Sequence, residues 1–113
     1  MTMFERERYS VECPDGSDVA VMRGVMRLAS PAAYEAVFAP VQRRLSTGQA
    51  STIDLTDVSF MNSSGIRALA TLVLLANDTG AALTIVASGK IPWQKKTVAS
   101  FRLISPALIV DLR

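Results

Sequence analysis

The chain has 113 residues, half of them hydrophobic, which is enough for one domain with a substantial core. Twelve basic residues against ten acidic ones leave a net charge of +2, too small for the electrostatic footprint of a nucleic-acid-binding protein. There is no histidine, and therefore neither the most common general base nor the most common metal ligand. We expect a protein that is not an enzyme and that holds no metal and no cofactor.

The cysteine content and the hydropathy pattern predict a cytoplasmic location. Cys13 is the single cysteine, which suits a reducing compartment. The charged residues 1–8 lack the apolar stretch of a secretory signal. The longest apolar run, residues 68–76, is far shorter than the roughly 20 residues that cross a bilayer. We therefore expect no direct membrane insertion, and the sequence leaves the oligomeric state open.

The first half of the chain predicts a hairpin followed by a helix. Alternating residues predict strands over residues 5–12 and 18–28, joined by a turn at residues 14–17. Ser30 before Pro31 is typical of a helix start, and apolar residues at helical spacing continue to about residue 45.

The second half predicts alternating strands and helices. Residues 51–55 predict a strand, and residues 63–77 predict a helix that is apolar nearly all round. Residues 81–87 are almost continuously apolar and predict a strand buried on both faces. A helix over residues 91–103 and a strand over residues 107–112 complete the order β-β-α-β-α-β-α-β. This order predicts a single α/β domain, residues 1–113, with a mixed β-sheet and about three α-helices.

The junction between the third strand and the second helix carries the strongest functional signal. Ser63 and Ser64 open a helix whose first N–H groups have no partner within the helix and lie at the positive end of its dipole. A hydroxyl at such a place either caps the helix or carries a phosphate. The residues alone favour the capping role for Ser63.

Residues 54–66 read D-L-T-D-V-S-F-M-N-S-S-G-I and resemble the signature of the STAS family. This is the fold of bacterial anti-sigma factor antagonists, whose motif is similar to D-L-S-x-V-x-F-M-D-S-S-G-L, and of the cytoplasmic ends of some transporters. The resemblance implies a STAS-like fold over nearly the whole chain. The chain departs from the motif at Asn62, where the family usually has aspartate. Its Ile91-Pro92-Trp93 segment is similar to a branch of short bacterial STAS-like regulators with an I-P-W-Q segment.

The resemblance also implies a function and a site. It implies a non-enzymatic, anti-sigma factor antagonist-like regulator of bacterial partner switching, phosphorylated on Ser63, with Ser64 as the alternative. The partners implied are a serine kinase of the anti-sigma type and a PP2C-type phosphatase. The alternative is a STAS subunit that docks on the ATPase of an ABC-type lipid transporter. Both functions use one helix-start surface, which we define as Met61, Asn62, Ser63, Ser64 and Arg67.

Three further residues near this junction each have two possible roles. Arg67, one helical turn past Ser63, contacts a phosphate or a partner carboxylate, or is simply a solvated cation. Trp93 either anchors a partner or closes the end of the core, and core packing is favoured. Phe60 belongs either to the docking surface or to the core.

Overall fold

The computed structural model describes residues 2–5, 8–14 and 16–113, and of residues 2–5 only the backbone. Residues 6 and 7 of the first predicted strand and residue 15 of the predicted turn lie outside the described residues. The described chain contains six strands and three helices, in the order β1 (Thr2–Glu5), β2 (Tyr9–Cys13), β3 (Val19–Met26), α1 (Pro31–Ser46), β4 (Ser51–Met61), α2 (Ser63–Thr79), β5 (Leu83–Ala87), α3 (Pro92–Ile104) and β6 (Ile109–Leu112).

All six strands form one mixed sheet, and their spatial order is the same as their order in the chain. The pairs β1–β2 and β2–β3 are antiparallel, whereas β3–β4, β4–β5 and β5–β6 are parallel. The predicted α/β class, with a mixed sheet and three helices, is confirmed. The first predicted strand corresponds to β2, and β1 is an additional edge strand that precedes it.

The helices form where capping and periodicity agree. Ser30 caps α1 by accepting a hydrogen bond from the backbone N–H of Ala33, and Pro31 occupies the first turn. Gly80 ends α2 in the left-handed conformation with a φ of 74°, which glycine adopts without steric cost. The buried residues of α1 recur at helical spacing and form one stripe, which comprises Tyr34, Val37, Phe38, Val41 and Leu45.

A single core lies between the three helices and one face of the sheet. Each helix connects adjacent parallel strands, and right-handed connections of this kind place all three helices on one face. Leu83, Ile85 and Ala87 of β5 belong to the core, whereas Val86 does not, although only 7 % of its surface is exposed. We call the side of the sheet opposite the helices the open face. The sequence predicts that β5 is buried on both faces. On the open face this prediction is confirmed at Val86 but is wrong at Thr84, which is half-buried.

Strand β4 is six residues longer than the sequence predicts, and its extension positions the site. Residues 56–61 were expected to form a connection, but they pair with β3 as far as Met26 and Met61. The pairing contains two register shifts, which disrupt the strict alternation by which a strand is recognised. At the first shift, Asp54 accepts hydrogen bonds from the backbone N–H and the hydroxyl of Thr56, at 2.9 and 2.7 Å.

Candidate functional site

The candidate site lies where β4 ends and α2 begins, and Asn62 caps the helix there. Its backbone is extended, with φ −74° and ψ 171°, and its Oδ1 atom accepts a hydrogen bond from the N–H of Gly65 at 3.1 Å. Ser63 is the first residue of α2 and not its cap. The capping role that the residues alone favoured for Ser63 is therefore wrong.

Asn62 also connects the start of α2 to two other elements. Its Nδ2 atom donates to the carbonyl oxygen of Leu28 at 3.0 Å, and its backbone N–H donates to the carbonyl oxygen of Met26 at 3.0 Å. The hydroxyl of Tyr34 lies 2.7 Å from Oδ1 of Asn62 and 3.1 Å from the Met26 carbonyl oxygen. Because a hydroxyl has one hydrogen, Tyr34 donates to one of these two acceptors at a time.

The electrostatics of Tyr34 keep it in its neutral form. Burial raises the pKa of its hydroxyl above the ordinary value of 10.0, and this effect outweighs the hydrogen bond from Leu28, which lowers it. The hydroxyl is therefore protonated at neutral pH, as its role as a donor requires.

Gly65 allows the helix start to approach Tyr34 closely. A Cβ atom at this position would lie 2.5 Å from Cγ of Met61 and 2.7 Å from Cζ of Tyr34. Both distances are far below van der Waals contact, so any larger residue displaces the core beneath the cap. The glycine of the motif is therefore explained by packing.

The two serines lie at the surface of the helix start, and their side chains have no role in the hydrogen bonding of the described fold. Ser63 is exposed and Ser64 is half-buried. Within the described chain, neither their hydroxyl groups nor their backbone N–H groups take part in a hydrogen bond. These two N–H groups are the orphan donors that any helix start leaves for an anion or water.

The apolar residue exposed beside this site is Phe60 and not Met61. Met61 is 3 % exposed and belongs to the core, so the expected contact of its side chain with a partner is wrong. It faces inward because β4 continues as far as residue 61. Phe60 is 38 % exposed, and the guanidinium of Arg27 lies 4.4 Å from the centroid of its ring.

Arg67 is exposed and lines a groove between α1 and α2. The groove has a volume of about 130 Å³, and Glu35, Phe38 and Leu72 are among its lining residues. Among the described residues Arg67 forms no ion pair. Its guanidinium is therefore available to a carboxylate or a phosphate.

The start of α3 supports the extended end of β4 through two side chains, of which the sequence singled out only one. Gln94 is fully buried; its Nε2 atom donates to the carbonyl oxygens of Leu55 and Val58 at 2.6 and 2.7 Å. Nε1 of Trp93 lies 3.2 and 3.0 Å from the carbonyl oxygens of Val58 and Ser59. Strand β5 pairs with β4 only as far as Asp54, so these side chains replace the missing strand. Trp93 is thus a packing residue, as favoured.

The fold is that of an α/β domain, and the candidate site is the start of α2 with its two accessible serine residues. The family model of the STAS domain matches residues 24–104, which is most of the chain. The chain therefore belongs to the STAS-domain family, whose members mediate protein–protein interactions. A comparison with curated proteins finds no match. In the described residues, no helix has the length and hydrophobicity needed to traverse a bilayer.

Proposed function

We propose that this domain is a non-enzymatic regulator of bacterial partner switching, similar to the anti-sigma factor antagonists, and that phosphorylation of Ser63 controls its binding to a partner. Ser64 is the alternative acceptor. The main support is the exposed Ser63 hydroxyl, which takes part in no hydrogen bond of the described structure. Because Asn62 caps the helix, a phosphate on Ser63 breaks no interaction that holds α2 in place.

The chemistry of a phosphate explains why phosphorylation of Ser63 leaves the fold intact but prevents the partner from binding. A phosphate adds a charge of about −1.5 to −2 and strong acceptor oxygens. The unbonded N–H groups at the helix start and the helix dipole favour this charge. A partner that covers phosphorylated Ser63 has to remove water from the charged phosphate, which costs several kcal/mol unless the partner supplies an opposite charge.

The catalytic groups belong to the partners. A cytoplasmic serine kinase of the anti-sigma type transfers the terminal phosphoryl group of a nucleoside triphosphate to the Ser63 oxygen, which releases the nucleoside diphosphate and the hydroxyl proton, and a PP2C-type phosphatase removes the phosphate by hydrolysis. The domain contributes the acceptor hydroxyl and the docking surface around it, which comprises Asn62, Ser64 and Arg67, and to which the exposed ring of Phe60 adds an apolar contact.

One observation favours a second candidate, a subunit that docks permanently on the ATPase of an ABC-type lipid transporter. Asn62 is neutral, and its amide is engaged with Leu28, Gly65 and Tyr34. The site therefore lacks the carboxylate that the family usually places beside the serine and that a kinase can use to orient the hydroxyl or its metal nucleotide. The same surface then serves as a constitutive contact.

Two variants of Ser63 and one matched control test whether a negative charge at this position controls partner binding. Ser63→Ala should retain the partner, whereas Ser63→Asp should stay folded and lose it. Ser100→Asp introduces the same charge on the exposed face of α3 and should behave like the wild type. The measurement is co-purification of the partner with each tagged variant from the native cells, together with a thermal unfolding curve. Equal capture by Ser63→Asp and the wild type would contradict the switch.

A further inference from the structure

The open face of the sheet carries a row in which acidic and valine side chains alternate. Consecutive members of the row are register partners on neighbouring strands, from β2 across to β6. Register partners point to the same side of a sheet, so all five side chains lie on the open face. We call this set the acidic row, and it consists of Glu12, Val21, Asp54, Val86 and Asp111.

In the described chain, helices pack against only one of the two faces of the sheet. Strands β3 to β6 are parallel, and parallel sheets are normally covered on both faces. No helix of the described chain packs on the open face, because all three contribute to the one core on the other side. The next row on the open face, Val19, Thr52, Thr84 and Ile109, is also partly apolar, and Ile109 is 50 % exposed. This face therefore has the composition of an interface.

The charges on the open face disfavour a second copy as its cover. Arg23 lies 3.9 Å from Glu12 and 3.7 Å from Asp57, and Arg113 lies 3.1 Å from Asp111. With Asp54, these residues comprise four carboxylates and two guanidinium groups, whereas the whole chain is positive by two charges. Two open faces stacked on each other would bring carboxylates against carboxylates. The complementary surface is basic.

The spacing of the acidic row matches a helix. Strands lie about 4.8 Å apart, so the carboxylates on alternate strands are separated by roughly 10 Å. An α-helix rises about 1.5 Å per residue, and seven residues span about 10.5 Å. A helix with a basic residue at every seventh position and an apolar residue midway between them therefore matches the row of carboxylates and valines.

We propose that the open face binds a basic amphipathic helix of a partner protein. Its Lys or Arg side chains pair with Asp54 and share Glu12 and Asp111 with Arg23 and Arg113, and its apolar side chains cover Val21 and Val86. This surface is separate from the helix-start surface and does not depend on phosphorylation of Ser63. The domain then has two docking surfaces, one for a switched partner and one for a helix.

The direct test uses a synthetic 21-residue peptide with Lys at every seventh position and Leu midway between, its helicity checked by circular dichroism. NMR of the isotope-labelled domain should show shifts at the acidic row and at its flanking strand residues, and none at Ser63 or Arg67. A control peptide with Glu in place of Lys should cause no shifts. Shifts confined to residues outside the open face would overturn the proposal, and so would a domain that dimerises through this face.

A pair of double variants gives the charge test. Glu12→Gln with Asp111→Asn should weaken peptide binding by roughly threefold to tenfold, a range set by surface ion pairs. Glu35→Gln with Asp78→Asn removes the same charge from exposed helix positions and should leave binding unchanged. Equal weakening by both pairs would show non-specific attraction and contradict the proposal. Ser63→Asp should bind the peptide normally, so a failure of the phosphorylation switch and a failure of this surface are distinguishable.

Discussion

The hydroxyl of Tyr34 on α1 lies 2.7 Å from Oδ1 of Asn62, the residue that caps α2. The two residues are 28 positions apart in the chain, and their contact joins α1 to the start of α2, beside the serine pair. Asn62 in turn donates to the carbonyl oxygen of Leu28 in the loop that precedes α1. Hydrogen bonds to Tyr34, Leu28 and Met26 therefore hold the start of α2 in place, while Ser63 remains accessible to solvent.

Replacing Tyr34 with phenylalanine should destabilise the domain by about 1 kcal/mol. The cost is moderate because the former acceptors keep other donors, Gly65 for Oδ1 of Asn62 and the Asn62 N–H for the Met26 carbonyl oxygen, and the Leu28 N–H loses only a long contact of 3.4 Å. Urea unfolding measures the change. Tyr9→Phe is the matched control, since the Tyr9 hydroxyl forms no hydrogen bond with the described residues, and it should be nearly neutral.

Tyr34 should also give the domain a pH dependence in the alkaline range. Burial raises the folded-state pKa of Tyr34 above 10.0, so the folded protein holds this proton to a higher pH than the unfolded chain does. The stability that Tyr34 contributes is complete below about pH 10 and is lost as the pH rises through the folded-state pKa. Urea unfolding between about pH 8 and 11 should show a steeper loss for the wild type than for Tyr34→Phe. Parallel curves would contradict this.

Restoring the aspartate of the family motif at position 62 should destabilise this chain by about 1 kcal/mol or more at neutral pH. A carboxylate keeps the cap and is favoured by the helix dipole, but it cannot donate to the Leu28 carbonyl oxygen 3.0 Å away. Thermal unfolding of Asn62→Asp measures the change. Ser30→Asp, at the cap of α1, should be neutral because Ser30 only accepts a hydrogen bond. An Asn62→Asp variant as stable as the wild type would show that the Leu28 contact has no net effect.

Gln94→Leu should destabilise the domain by about 2 kcal/mol or more, because it removes the acceptor of the half-buried Ser88 N–H and the donor to the buried carbonyl oxygen of Leu55. The emission of Trp93, the only tryptophan, should change as well, since the neighbouring indole is bonded to the same end of β4. Gln42→Leu makes the same change at an exposed position of α1 and should have little effect on either measurement. Unchanged emission would contradict this expectation, because it would show that the environment of Trp93 does not depend on the conformation at the end of β4.

The elements were largely predictable because their signals are local. Ser30-Pro31 and the stripe from Tyr34 to Leu45 place α1 correctly, and the predicted order of strands and helices along the chain matches the structure apart from β1. The extension of β4 to Met61 was not predictable, since its pairing with β3 depends on two register shifts that local periodicity does not encode. The same register shifts explain why Met61 is buried in the core, whereas the sequence predicts it on the partner-binding surface.

The sequence predicts the position of the site but not the hydrogen bonds that hold it in place. The motif located Ser63 and Ser64 at the start of α2, where the structure has them. The residues alone favour Ser63 as the cap, whereas Asn62 holds this position, fixed there by its contacts with Leu28 and Tyr34. Gln94 was overlooked, although its spacing from Val98 and Phe101 places it on the buried face of α3 and could have identified it.

The role of Ser63 as a switch is tested most directly by phosphosite mapping of the domain purified from its native cells, with partner-bound and partner-free fractions analysed separately by mass spectrometry. We predict a phosphate on Ser63 in the partner-free fraction and none in the partner-bound fraction. Absence of phosphate from Ser63 and Ser64 in both fractions, under conditions that change partner occupancy, would contradict the switch and leave permanent docking as the function of this surface.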